Sequence, residues 1–139
     1  MDSDQLTHAG DAEPQDGQSD LRVLPRITSA MVRIYKEQFG RGPENARSYY
    51  AGPDMIVCIL ADSLTPVERS MRDMGERQRL RDIRLMFQYA AEGKFRVAVE
   101  HVTDRRVVSF MSAIDVDQDL ACEMFILEPR AGQQSVTPA

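Results

Sequence analysis

Four arginines hold corresponding places in the two halves of the chain. Arg41 and Arg47 flank a Gly-Pro loop, and Arg105 and Arg106 precede a similar strand-like segment. A cluster of guanidinium groups binds carboxylate or phosphate through bidentate hydrogen bonds. If the two halves fold alike, the four arginines would converge at matching ends of a sheet and form a small-anion site. The alternative is that they brace their loops by pairing with nearby carboxylates (Glu44, Asp54 and Asp104).

Alternating carboxylates at Asp115, Asp117 and Asp119 are the second candidate for binding chemistry. Carboxylates can ligate a hard cation, but this run lacks the glycine and the distal glutamate that an EF-hand loop requires. We therefore predict a solvated hairpin loop in which Asp119 fixes the turn, and no metal site.

Histidines and cysteines are the residues from which a catalytic site would be built. His8 lies in a polar N-terminal stretch, and His101 falls late in a short helical pattern that favours a solvent-facing side chain. Cys58 and Cys122 lie within apolar runs and are expected to be buried, reduced thiols rather than a disulfide or reactive groups. Common phosphate-binding, nucleophile and metal motifs do not occur in the sequence. We predict no enzyme activity, no catalytic residue and no cofactor; a small hydrolase using Cys58 or His101 is the disfavoured alternative.

Composition divides the chain into a domain and two tails. Residues 1–20 hold six of the 22 acidic residues and no lysine or arginine, which leaves 17 basic and 16 acidic groups in the remainder. Such polar stretches bury too little apolar surface to offset the entropy of ordering them. We predict a disordered acidic tail over residues 1–20, a single domain over residues 21–129, and a second disordered tail over residues 130–139.

The first half of the predicted domain has the pattern of a helix followed by a β-hairpin. Apolar residues at helical spacing from Ile27 to Tyr35 predict a helix that ends at Gly40. Ala46–Tyr50 and Met55–Leu60 predict an antiparallel hairpin around a Gly-Pro-Asp turn. Because Met55–Leu60 is apolar without interruption, we expect a central strand covered on both faces.

A helical connector follows this hairpin. Thr65 and Glu68 form the capping-box pattern of a helix start, Gly75 either kinks or breaks the helix, and Glu92-Gly93 ends it. Six arginines against three acidic residues over positions 69–84 give the connector a positive charge. Since no aromatic residues alternate with these arginines, we expect a solvated helix face and no binding to nucleic acid.

The second half repeats the order of the first. Phe95, Val99 and Val102 predict a short helix, and Val107–Ser112 and Ala121–Leu127 predict a second hairpin. Two α-β-β units, with or without a true internal repeat, predict the α+β class: a four-stranded antiparallel sheet with helices packed on one face. A homodimer is expected because two copies could close exposed strand edges.

Four separated segments occur in one order along the chain: YKEQFGRGPENAR, VCILADSLTPVER, RRVVSFMS and EMFILEP. In these segments the chain resembles the small bacterial MpsC-like domain, over about Ile27 to Pro129. That family is named for a sodium-translocating system that generates a membrane potential. The resemblance implies a partner in a membrane complex involved in cation or bicarbonate movement.

The sequence itself offers no route into a bilayer. Its longest apolar run, Met55–Ala61, has seven residues, whereas a spanning helix needs about 20. The chain also opens without a charged-then-apolar leader. We expect a cytoplasmic protein, peripheral to the membrane only through a partner. The predicted function is a non-enzymatic accessory or interaction module; the alternative is a small-anion-sensing protein that uses the arginine cluster.

Overall fold

The computed structural model describes the backbone of residues 15–130 and the side chains of residues 22–130. This part of the chain contains four helices and four strands. In order they are α1 (Gln15–Phe39), β1 (Asn45–Tyr50), β2 (Met55–Ala61), α2 (Pro66–Asp73), α3 (Arg77–Ala90), α4 (Glu92–Thr103), β3 (Val107–Asp115) and β4 (Leu120–Leu127).

The strands form one antiparallel sheet in the spatial order β1-β2-β4-β3. Helices lie on one face of it: the Thr28 hydroxyl of α1 is 2.7 Å from the Ser48 hydroxyl of β1, and Gln88 of α3 donates to Ser112 of β3 at 2.7 Å. The predicted α+β class, both hairpins and the packing of helices on one face are confirmed.

Helix α1 forms because its apolar residues fall on one stripe. Ile27, Met31, Ile34 and Tyr35 are all buried, and Gly40 ends the helix with a φ of 84°. The helix begins at Gln15, so the last six residues of the predicted N-terminal tail are helical. Residues 1–14 and 131–139, the rest of the two predicted tails, lie outside the described residues, and the domain bounds stay a prediction.

The connector contains two helices rather than one. Thr65 accepts from the Glu68 backbone N–H at 3.2 Å and Glu68 accepts from the Thr65 N–H at 2.8 Å, which confirms the capping box. Gly75 has a φ of 89° and separates α2 from α3. The predicted helix end at Glu92-Gly93 is wrong, because the break falls at Ala91 and both residues open α4. Glycine is tolerated there because a first helical turn carries fewer hydrogen bonds than a helix interior.

The two α-β-β units are related by a pseudo-two-fold axis that passes between β2 and β4. The Leu127 N–H donates to the Asp54 carbonyl at 2.7 Å, and the Asp62 N–H donates to the Asp119 carbonyl at 2.9 Å. Asp119 and Leu127 lie 65 positions after Asp54 and Asp62, so each bond is the image of the other. The structure therefore supports the internal repeat that the sequence left open.

The sheet has one buried face and one open face. Side chains alternate along β2 between fully buried and half-exposed, so the inner positions Ile56, Cys58 and Leu60 lie in the core and the positions between them do not. The prediction that Met55–Leu60 is covered on both faces is therefore wrong for the described residues. An unbroken apolar run indicates that both faces of a strand favour burial. It does not show whether the layer that covers the second face belongs to the same chain.

Candidate functional site

Arg105 is a structural residue in the fold. Its side chain is 6% exposed, and its guanidinium group donates to Asp54 Oδ1 at 2.7 Å. The same group also donates to the carbonyl oxygens of Pro53 and Glu128. These contacts join the turn before β2 to the end of β4. For this arginine they agree with the alternative prediction, in which it braces a loop by pairing with a carboxylate.

The four predicted anion-site arginines are not brought together. Arg41 donates to the Leu64 carbonyl at 2.6 Å and lies 3.9 Å from Glu44, at the sheet end opposite Arg105. Arg47 is exposed on the edge strand β1, and Arg106 is exposed beside Arg105. The pseudo-two-fold axis explains the separation: Arg41 and Arg106 are equivalent under it, and in an antiparallel arrangement equivalent positions fall at opposite sheet ends.

Arg41 instead lines a surface cavity of about 580 Å³ together with Arg69 and Arg72 of α2. Arg69 donates to the same Leu64 carbonyl at 2.8 Å, so two of the three guanidinium groups already hold this loop. Four carboxylates also line the cavity (Glu44, Asp62, Asp117 and Asp119). The formal charge of the lining is therefore −1, which does not favour an anion.

The alternating carboxylates of the β3–β4 loop have separate protein partners. Asp115 Oδ1 accepts from the Gln118 N–H at 3.1 Å, and Asp117 pairs with Arg77 of α3. Asp119 is buried, has a φ of 52°, and accepts from the backbone N–H groups of Ser63 and Leu64 at 3.0 and 3.2 Å. Asp119 thus takes the left-handed position of the turn, and its carboxylate ties the turn to the loop after β2. The prediction of a solvated loop is wrong for this residue because it is buried.

A buried polar cluster between helices and sheet was not anticipated from the sequence. The Tyr35 hydroxyl of α1 donates to Glu123 Oε2 of β4 at 2.5 Å, and both residues are fully buried. Gln88 Nε2 lies 3.4 Å from the same oxygen and 2.7 Å from Ser112 Oγ. Glu123 Oε1 and Gln88 Oε1 are buried without a hydrogen-bond partner. The available signal was an acidic residue at an inward position of an otherwise apolar strand.

This environment changes the ionisation of the cluster. Burial raises the pKa of Glu123 to about 7, although hydrogen bonds from Ser112 and Tyr35 and the charge of Arg84 act in the opposite direction. Burial and the negative charge of Glu123 raise the pKa of the Tyr35 hydroxyl well above its usual value. Glu123 therefore changes protonation near neutral pH inside the core.

Arg84 brings a buried positive charge to the same region. It bonds Glu68 Oε1 and Ser63 Oγ, each at 2.9 Å, and its guanidinium carbon lies 3.7 Å from the Phe39 ring centroid. These partners belong to α1, α2 and the loop before α2. Arg84 thus fastens the connector to the core, a role that its place in a predicted solvated face did not suggest.

The residues considered for catalysis are not assembled into a site. Cys58 and Cys122 are free thiols, and their strand positions point their side chains to opposite faces of the sheet. Burial raises the pKa of Cys58 to about 12, which disfavours it as a nucleophile because the thiolate is the reactive form. His101 is exposed near the end of α4, and His8 lies outside the described residues.

The open sheet face carries a continuous group of apolar side chains. Met55, Val57 and Ile59 of β2 stand beside Cys122, Met124 and Ile126 of β4, all half-exposed. Tyr49 on β1 is 49% exposed and Met111 on β3 is 42% exposed. Contiguous exposed apolar patches are typical of interaction surfaces. No charged residue lies among these eight.

The fold is a small α+β domain, and its described residues include an open apolar sheet face. The chain belongs to the MpsC family: residues 22–129 match the family described as "Na+-translocating membrane potential-generating system (MpsC)". That match covers all four strands and most of the helical layer. Neither a curated protein nor a solved structure matches the chain significantly.

Within residues 15–130, no helix is both long enough and apolar enough to cross a membrane.

Proposed function

We propose that this chain is a non-enzymatic interaction module, an accessory component of a membrane-potential-generating cation system, held in the cytoplasm and attached to the membrane through a partner. The observation that carries the proposal is the open sheet face. Two central strands present an apolar layer that no helix of the described chain covers. Burying such a layer is favourable by roughly 25 cal/mol for each Å² of apolar surface removed from water.

The chemistry of the ionisable groups also supports a binding role. The groups that burial perturbs most, Glu123, Tyr35 and Cys58, lie on the inner side of the sheet. Catalytic acids and bases need to reach a substrate, so perturbed groups at a functional site normally lie in a cleft. The family description supplies the setting, a sodium-translocating system that generates a membrane potential.

The test is recovery of the tagged full-length chain from mildly detergent-solubilised native cells. We expect an integral membrane protein to co-purify, and Met124→Glu in the middle of the open face to reduce its recovery at least tenfold. The control is Val97→Glu, which places the same charge on a residue of α4 that is 66% exposed and should leave recovery unchanged. A chain that yields no integral membrane protein, or equal recovery with Met124→Glu, contradicts the proposal.

The anion-sensing alternative has less support. Its four arginines are divided between two ends of the sheet. The cavity that Arg41 lines has four acidic and three basic side chains. A phosphate or carboxylate metabolite that raised the melting temperature of the wild-type chain but not of Arg69→Ala would support the anion-sensing alternative.

A further inference from the structure

We infer that the open sheet face binds a second copy of this chain, giving a homodimer in which the two sheets stack face to face about a two-fold axis parallel to the strands. The inference rests on the proposed function only in taking the open face as the interaction surface. It specifies a second copy as the occupant of that face, so that the membrane partner of the proposed function binds the dimer. It also names the residues that set the orientation of the two copies.

The face has the size that a small stable dimer needs. Four strands about 4.8 Å apart, each with about seven residues rising about 3.4 Å, give a surface of roughly 20 by 24 Å. Side chains standing on that area expose more surface than its flat projection, and a standard interface takes roughly 600 to 1,000 Å² from each partner. Two packed sheets of this kind lie about 10 Å apart, with their inner side chains interdigitated.

The middle of the face is compatible with its own copy. Val57 and Ile59 on β2 and Cys122 and Met124 on β4 form its central square and carry no charge. Self-association therefore buries no like-charge pair at the centre, which is where an isologous interface brings the same patch together. Burial of these side chains in a dimer also completes the second layer that the apolar run of β2 lacks.

Charges at the two edges select one orientation. Strand registers place Arg47 of β1 in one row with Ile59, Cys122 and Ala113, and place Asp115 of β3 in the adjacent row of the same face. An axis parallel to the strands lays β1 over the partner's β3. Arg47 then lies one row, about 7 Å along the strand, from the Asp115 position of the other copy, within reach of an arginine side chain.

The other way of stacking the sheets is less favourable. An axis perpendicular to the strands lays β1 over β1 and brings the two Arg47 side chains to the same edge, where they repel. The parallel axis instead forms the Arg47–Asp115 pair twice, once at each edge, since an isologous interface repeats every contact. Charge therefore favours the parallel axis over the perpendicular one.

The ends of this chain are poor alternatives as occupants. Residues 131–139, AGQQSVTPA, contain one large apolar residue, and residues 1–14 contain only Met1 and Leu6. Neither composition can replace water over an apolar surface of this size. A second copy supplies an equal and matching apolar area.

The test is the mass in solution of the full-length chain, measured by sedimentation equilibrium over a range of concentrations. We expect the mass of two chains for the wild type and for Val97→Glu, and of one chain for Met124→Glu. Tyr49→Glu, at an exposed position of the same face, is a second disrupting variant, and circular dichroism checks that each variant is folded.

Charge reversal tests the orientation. Arg47→Asp and Asp115→Arg should each weaken association severalfold, and the two together should restore it. A wild-type chain with the mass of one chain overturns the inference, as does a dimer that survives both Met124→Glu and Tyr49→Glu. A one-chain mass together with membrane recovery that depends on Met124 overturns the dimer but leaves the proposed function standing. A two-chain mass with no membrane protein recovered contradicts the proposed function but leaves the dimer standing.

Discussion

Asp54 and Asp119 are equivalent residues at opposite ends of the central strand pair. Each precedes a central strand, and each backbone carbonyl accepts from a residue at the end of the neighbouring one. Their carboxylates have different partners: Asp54 accepts from the Arg105 guanidinium, whereas Asp119 accepts from two backbone N–H groups of the loop before α2. The same backbone geometry is thus combined with an ion pair at one end of the sheet and with a loop anchor at the other.

Arg105→Ala should destabilise the fold strongly. It removes a buried guanidinium group that bonds Asp54 and two backbone carbonyl oxygens. Breaking a buried ion pair from one side costs about 3 to 5 kcal/mol. The measurement is the free energy of unfolding in urea. Arg106→Ala removes the same group from the exposed neighbour and should change stability by less than about 1 kcal/mol. Equal losses for the two variants would show that the Arg105–Asp54 pair does not stabilise the fold.

Asp119→Ala should lower stability by about 2 to 4 kcal/mol, because two buried N–H groups lose their acceptor and alanine is disfavoured at a φ of 52°. Asp119→Gly removes the backbone penalty but not the loss of the acceptor, so it should recover only part of the stability. Thermal unfolding of both variants measures the difference. Full recovery with glycine would mean that the carboxylate contributes nothing.

Tyr35→Phe removes the hydroxyl that donates to Glu123 and should cost about 1 to 3 kcal/mol. Because that hydrogen bond lowers the pKa of Glu123, its loss should raise this pKa further. Urea unfolding measures the first effect, and the pH dependence of stability measures the second. Tyr49→Phe, which removes an exposed hydroxyl, is the matched control. A Tyr35→Phe variant as stable as that control would contradict the assigned hydrogen bond.

Glu123 should make the protein less stable as pH rises. Its pKa is 4.5 in the reference state and about 7 when buried, so the native state holds the proton more tightly than the unfolded chain. Its contribution is fully present below about pH 4.5 and lost by about pH 7, a change of about 3 kcal/mol. Glu123→Gln should therefore be more stable than wild type at pH 8 and less dependent on pH between 5 and 7. Parallel stability profiles for the two proteins would refute a raised pKa at this site.

Local patterns sufficed for much of the fold. The capping box at Thr65, the turn glycines and the alternating or apolar runs all act over a few residues, so the hairpins and the α+β class could be predicted. The role of Arg105, anion binding or loop bracing, depended on whether the tertiary structure placed a carboxylate beside it, and that carboxylate is Asp54. Convergence of the four arginines failed for a reason of symmetry, since a two-fold axis between antiparallel central strands carries Arg41 to the opposite end of the sheet.

The candidate site was less accessible to sequence reasoning. Tyr35 and Glu123 are separated by 88 positions, and no local pattern joins them. The open face was visible only as an apolar run in β2, which indicates burial without naming the layer that provides it. Distinguishing an intramolecular layer from a partner required knowing that the helices that contact the sheet pack on its other side.

Alkylation of Cys122 in the native assembly tests the interaction surface most directly. This thiol is half-buried on the open face, and Cys58 is buried on the other. We predict that Cys122 reacts with a maleimide at least tenfold more slowly in the wild-type assembly than in Met124→Glu. The added negative charge acts in the opposite direction, because it disfavours the reactive thiolate. A cysteine placed at Val97 should react equally in both backgrounds. Equal rates for Cys122 in wild type and Met124→Glu would contradict the claim that this face is covered by a partner.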